Sequence, residues 1–288
     1  MVGGLGKTLA LLAILTFILL GVGTAVGYLL GVPPTYSLGI ALVLALVMNA
    51  SLYYAADKWV LRLYHARIVS GKEAPLLHRI VERIAQNAKI PKPKIAVIPT
   101  ETPNAFATGR SPAHSVVAVT RGALELLSEE ELEGVIGHEI AHIKNRDMLI
   151  NTLAAVIGAA VTYLMYFSLF AGSGRDREGS SSILAILAII VAPFAVMLVR
   201  FAISRAREFE ADKSGATFSR KPLALASALR KIESKVRTQP ITGGNPSTSH
   251  LFIINPFRGA RLSSLFATHP PTEERIKRLE WLAKTGQY

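Results

Sequence analysis

Two histidines stand four residues apart in Gly137-His138-Glu139-Ile140-Ala141-His142. On a helix that spacing puts both rings on one face, about 6 Å apart at Cβ. Imidazole nitrogen is a good zinc ligand, so such a helix supplies half of a tetrahedral site. A glutamate directly after the first histidine is placed to hold a metal-bound water and take its proton. The chemistry this predicts is metal-assisted hydrolysis. The same string also occurs on surface helices whose histidines meet only solvent, so the pattern needs a setting.

The setting begins with the helix itself. Ser128-Glu129-Glu130-Glu131 reads as a capping box, with Ser128 at the N-cap and Glu131 three residues on. Leu132, Val135, Ile136, Ile140 and Ile143 are placed to bury the remaining sides of the helix it starts. The other histidines, His65, His78, His114 and His250, show no metal spacing and read as structural or exposed.

The rest of the chain says where this helix sits. Half of the 288 residues are hydrophobic, 18% are charged, and the net charge is +12. That balance points to nucleic acid or an anionic membrane face, and long apolar runs decide for the membrane. Leu9 to Leu30 is long enough to span a bilayer. A cleaved signal peptide is the rival reading, but a second span follows closely, from Leu38 to Ala56. Gly23, Gly27 and Gly31 recur at four-residue spacing, a small-residue face suited to helix packing or the ordinary glycine content of a membrane helix. Ile150 to Ala171 and Ile183 to Ile203 make a second pair, the latter with a kink expected at Pro193. The regions 57–147 and 204–288 hold 13 and 15 Lys and Arg, whereas the loop 172–182 holds two and the turn 31–37 none. By the positive-inside rule both large polar regions are cytoplasmic. Basic residues are scattered without interleaved aromatics, which fits a membrane-facing domain better than a nucleic-acid groove. The absence of cysteine removes disulfides, thiol nucleophiles and Cys-type zinc sites.

Four spans bring both polar regions to one side, and that yields a third ligand. A catalytic zinc needs three protein ligands and one open position. Glu208 follows the fourth span by about five residues and His142 precedes the third by about eight, so both lie within roughly 8–12 Å of the membrane surface. Asp212, four residues on and on the same face, can accept the spare ring N–H of a ligand histidine. The alternative is that Glu208, Glu210 and Asp212 pair with Arg205 and Arg207 in a solvated cluster.

Smaller elements complete the reading. Helical spacing runs from Glu73 to Lys89, from Leu223 to Val236 and from Glu273 to Lys284, with Thr272 able to cap the last. Lys94–Ile98 and Ser115–Thr120 are β-rich, and 103–109 between them is extended, so a small sheet is expected. Thr238 to Ser249, rich in Thr, Gly, Pro and Ser, reads as a mobile loop. The predicted fold is an α+β membrane protein with about four transmembrane helices in two hairpins. A mainly helical, zincin-like cytoplasmic domain carries the small sheet. The segments are 1–56 (first hairpin), 57–149 (first part of the cytoplasmic domain, with the two histidines), 150–203 (second hairpin) and 204–288 (second part of that domain, with Glu208).

Residues 137–147, 204–212 and 268–276, together with 103–109, resemble the HtpX family of membrane zinc metalloproteases. The likeness runs from about Leu61 to the end. It implies one zinc ion (Zn2+) per chain, held by His138, His142 and Glu208, with Glu139 as general base. It implies that Asn104, Ala105, Phe106, Ala107 and Thr108 form the sheet edge beside the site, where an extended substrate adds as a strand. It places His269 near the zinc, able to steady the oxyanion. Arg275 either contacts the active-site helices or sits on the surface. The implied partners are polypeptides, above all misfolded or damaged membrane proteins, and the bilayer, with no nucleic acid. A narrow prenyl-protein peptidase and a non-enzymatic scaffold are the rival readings.

Overall fold

The computed structural model describes residues 3–171, 204–241, 244–257 and 269–288. The predicted fourth span and the loop before it lie outside those residues.

The chain opens with two long helices, α1 (Gly3–Leu29) and α2 (Pro34–Leu63), joined by a tight turn. Gly31 takes the left-handed conformation there, at φ +73°, and Pro34 starts α2 where a missing N–H costs nothing. Both helices are long and apolar enough to cross a membrane. Their contact is made by small residues. A Cβ on Gly23 would lie 2.6 Å from the Ala41 Cβ, and one on Gly27 would approach Ser37 closer still. Gly23 and Gly27 are therefore a packing face, whereas Gly31 lies in the turn and packs against nothing. Leu38, Ile40, Leu42, Val43, Leu44, Leu46 and Val47 are exposed along α2, as lipid-facing side chains are. The helix runs on past Ala56 without a break and ends at Leu63.

A four-stranded sheet follows, in the order β1-β2-β4-β3. It comprises β1 (Arg67–Ile68), β2 (Lys94–Ile98), β3 (Ala105–Ser111) and β4 (His114–Thr120). β2 and β4 are parallel. β3 is antiparallel to β4, with Ala105 opposite Val119 and Ala107 opposite Val117. β3 thus has one free edge, as expected for 103–109. The two-residue β1 has no signal of its own in the sequence.

Helices α3 (Pro75–Ala88), α7 (Arg205–Ser219) and α8 (Pro222–Thr238) pack around α5 (Glu129–Lys144), α4 (Arg121–Leu126) packs on β4, α9 (Thr272–Thr285) packs on α8 and α7, and α6 (Asp147–Ala171) follows α5. The Ser128 capping box is present: its hydroxyl accepts from the Glu131 N–H, and Glu131 accepts from the Ser128 N–H at 2.9 Å. Every residue of α5 from Glu131 to Ile143 is buried. Ile136, Ile140 and Ile143 join Ile80 and Ile84 of α3, Leu225 and Leu229 of α8 and Leu279 of α9 in one core, each worth roughly 1.5–3 kcal/mol of burial.

Two expectations are corrected. α9 is preceded by Pro271 at its N-cap, and Thr272 is its first helical residue, so Thr272 caps nothing. The last part of the 238–249 stretch, 245–249, is packed into the protein rather than forming a loop in solvent. Pro246–Leu251 is a 3-10 turn whose Ser247, Thr248, Ser249, His250 and Leu251 are buried. Asn245 makes that burial possible, because its Oδ1 accepts from both the N–H and the hydroxyl of Ser247.

Candidate metal centre

α5 carries His138, Glu139 and His142, and α7 carries Glu208 and Asp212. The helices cross at Gly137 and Gly215 with their backbones in contact. A Cβ on Gly137 would lie 2.7 Å from the Gly215 carbonyl oxygen, and one on Gly215 would lie 2.6 Å from the His138 nitrogen. Two side-chain-free positions are what let α7 bring Glu208 to the histidines.

The three expected ligand residues converge. His138 Nε2 and His142 Nε2 are 3.2 Å apart. Glu208 places Oε2 3.8 Å from His138 Nε2 and Oε1 3.6 Å from His142 Nε2. Ligand atoms 2.0–2.1 Å from a tetrahedral centre stand about 3.3 Å from one another. The two ring nitrogens match that spacing, one atom from each of the three residues lies within 4.8 Å of the other two, and two imidazoles with one carboxylate are a zinc donor set. Among the described residues this is the one group of three with metal-ligand spacing. The solvated-cluster alternative fails, since Glu208 and Asp212 are buried while Glu210 and Arg205 are exposed.

Each histidine is backed by a carboxylate, and each carboxylate by an arginine. His138 Nδ1 donates to Asp212 Oδ1 at 2.9 Å, which leaves Nε2 free for a metal. Arg275 grips Asp212 with Nε at 2.9 Å and Nη2 at 2.7 Å, and is itself wholly buried. The surface position considered for Arg275 is therefore excluded. His142 Nδ1 lies 3.5 Å from Asp147 Oδ2, and Arg207 donates to Asp147 Oδ1 at 3.0 Å. Asp147 and Arg207 stand in the motifs of the chain, but their pairing was not foreseen.

Charge is distributed to suit a cation. Burial pushes the Glu139 carboxyl up to about 7. Burial would raise Glu208 too, but His269, His142 and His138 hold it well below the usual carboxylate range. Asp212, also opposed by burial, is drawn down to about 2 by Arg275 and His138. Burial brings His138 down to about 4, against the pull of Asp212. For His142 burial is outweighed by Glu208, Asp147 and Glu139, which raise it to about 9.

The other expected residues fall around this centre. His269 Nδ1 donates to Glu208 Oε2 at 2.8 Å, and its Nε2 is buried without a partner. It therefore meets the carboxylate rather than standing apart from it. Asn104, Ala105, Phe106, Ala107 and Thr108 lie on or beside the free-edged β3 and are buried. The Ala107 backbone hydrogen-bonds the Glu139 carboxylate. Thr108 instead turns to Thr152 on α6, hydroxyl to hydroxyl at 2.9 Å. His250 is structural, as read from the sequence: it is buried and bonded through Nε2 to the Asn151 carbonyl, and it also lines the cleft with His138, Glu139 and His269.

Comparison with known proteins gives concordant matches. Residues 71–283 match peptidase family M48. A protease HtpX homolog of Pyrococcus furiosus is 54% identical over 281 residues, covering 96% of this chain and 95% of that one. One from Methanocaldococcus jannaschii is 53% identical, covering 85% of this chain and 88% of that one. One from Salinibacter ruber is 46% identical, covering 98% and 99%. The crystal structure of S. mikatae Ste24p aligns with a TM-score of 0.49 at 17% identity, covering 95% of this chain and 65% of that one.

Proposed function

The chain belongs to peptidase family M48 as one of its HtpX-type proteases, and from that premise we propose a zinc-dependent endopeptidase of the cell membrane. The observation that carries the zinc assignment is the spacing of His138, His142 and Glu208, which suits tetrahedral ligation. These three residues would hold one ion. Bound there, zinc supplies a Lewis acid for the scissile carbonyl and makes water acidic enough to lose a proton near neutral pH.

The chain does the rest. Glu139, pushed up to about 7 by burial, is tuned to take a proton at physiological pH and return it to the leaving amine. Asp212 holds the His138 ring by Nδ1, and Asp147 stands at the same atom of His142. His269 orients Glu208 through Nδ1 and keeps Nε2 available for the oxyanion. The free edge of β3, from Asn104 to Thr108, takes the substrate as an added strand. Main-chain bonds then give affinity with little sequence selectivity.

The chain is multi-pass, with residues 57–149 and 204–288 together forming a cytoplasmic protease domain between two hairpins, 1–56 and 150–203. α6 starts at Asp147, five residues beyond His142, so the site lies close under the bilayer. Substrates that are themselves membrane proteins, misfolded or damaged, reach such a site most readily. The test is Glu139→Gln. It keeps stoichiometric zinc and loses cleavage of an unfolded substrate; full activity in that variant would overturn the assignment.

A further inference from the structure

The cleft has no room for a substrate as it stands. His138, Glu139, His142 and Glu208 are each at most 7% exposed. What covers the open edge of β3 is the chain itself, at Phe252-Ile253-Ile254. The Ile253 N–H donates to the Ala105 carbonyl at 3.1 Å. The Ile253 carbonyl accepts from Arg275 Nη1 at 2.9 Å. The Ile254 N–H donates to Asn104 Oδ1 at 3.4 Å, and its carbonyl accepts from Asn104 Nδ2 at 2.7 Å. All four main-chain groups of two successive residues are met, and none of these bonds involves an isoleucine side chain. Phe252 and Ile253 line the same cleft as His138 and Glu139.

Such recognition reads peptide units rather than sequence, and it operates beside the Glu139 carboxylate on the strand whose Ala107 backbone bonds it. We propose that Phe252-Ile253-Ile254 occupies the track of the substrate. The Ala105 carbonyl, the Asn104 carboxamide and the Arg275 guanidinium are the groups that take the substrate's main chain, and the resting protein is self-occupied. This inference rests on the endopeptidase reading with strand addition at β3. It gives Arg275 a second duty beyond holding Asp212, and it makes substrate entry a displacement of one peptide strand by another. Side chains anchor the segment too: the Tyr64 hydroxyl bonds the Thr248 hydroxyl, Phe252 packs among Tyr64, Phe106 and Phe257, and Ile253 and Ile254 join the main core. Substrate affinity is then reduced by the fraction of molecules in which the segment is in place.

The test uses full-length zinc-loaded protein in detergent and a fluorogenic decapeptide without charged residues. Wild-type protein must first cleave it in a chelator-sensitive way; its failure to do so sinks the endopeptidase reading itself. Hydrogen exchange is then followed at the Ile253 and Ile254 amides of Glu139→Gln with and without peptide. The peptide is held well above the Kd measured by anisotropy. Both amides are expected to be protected at rest and to lose protection when the peptide is bound. Bound peptide with both amides still protected overturns the proposal and leaves the protease reading intact. In parallel, Tyr64→Phe keeps the aromatic ring and removes the bond to Thr248. It is expected to raise kcat/KM about three- to tenfold, the effect of one lost hydrogen bond on a closed population. An unchanged or lowered kcat/KM in a variant of wild-type thermal stability counts against self-occupation.

Discussion

Replacing Asp147 by Asn tests the logic of the metal centre most cleanly. The change is isosteric and leaves an oxygen for the His142 ring, but it removes the charge that Arg207 and His142 share. A hydrogen bond to a charged group is worth roughly 1.5–3 kcal/mol and a neutral one roughly 0.5–1.5, so the difference is about 1 kcal/mol. The His142–Asp147 distance of 3.5 Å is long, which argues for the lower end. Loss of an outer carboxylate typically weakens metal binding 10–100-fold, and Asp147→Asn should fall near tenfold. The same exchange at Asp212, bonded to His138 at 2.9 Å, should approach 100-fold. Zinc affinity is read by competition with a chromogenic chelator, with circular dichroism as the check on folding. For Asp147→Asn, saturating zinc should restore most of the cleavage rate. A folded Asp147→Asn protein with wild-type affinity, or one that loses more than Asp212→Asn, refutes the reasoning.

Three further outcomes follow from the same geometry. Glu208, Asp147 and Glu139 raise His142 to about 9, so below that pH zinc must displace its proton, and apparent affinity should climb up to about tenfold per pH unit and level off near pH 9. Titrations at pH 6, 7, 8 and 9 check the slope, and a flat profile contradicts it. Asp212→Asn leaves Arg275 buried without its partner and should cost about 3–5 kcal/mol of stability in the apo protein, read by thermal or denaturant unfolding. Gly215→Ala places a methyl group against the His138 backbone; it should lower zinc stoichiometry together with the melting temperature, whereas Ala at exposed Gly39 should change neither.

Local chemistry announced much of this site. The capping box, the i, i+4 histidines and the i, i+4 pair Glu208 and Asp212 are short-range patterns, and each is realised in the structure. Arg275 was harder because its partner is 63 residues away. A signal did exist: Arg275 shares the apolar stripe of Ile276, Leu279 and Leu282, and a cation on a buried face needs a buried anion. Asp147 sits at the junction of α5 and α6, where spacing alone does not fix direction. His250 has no local signal, since its place is set by the Asn151 carbonyl 99 residues away. The 245–249 stretch misled because several of its polar groups find partners inside the protein, Asn245 with Ser247 and Thr248 with Tyr64. Composition therefore read as solvent what is interior.

The contact between Gly137 and Gly215 has a consequence for how the centre fails. The gauge between the two ligand-bearing helices is set by main-chain atoms, which have no alternative rotamers. Repacking elsewhere in the core has no side chain through which to retune it gradually. The spacing of His138, His142 and Glu208 is thus held at one value or lost, and metal release and helix separation become a single cooperative event.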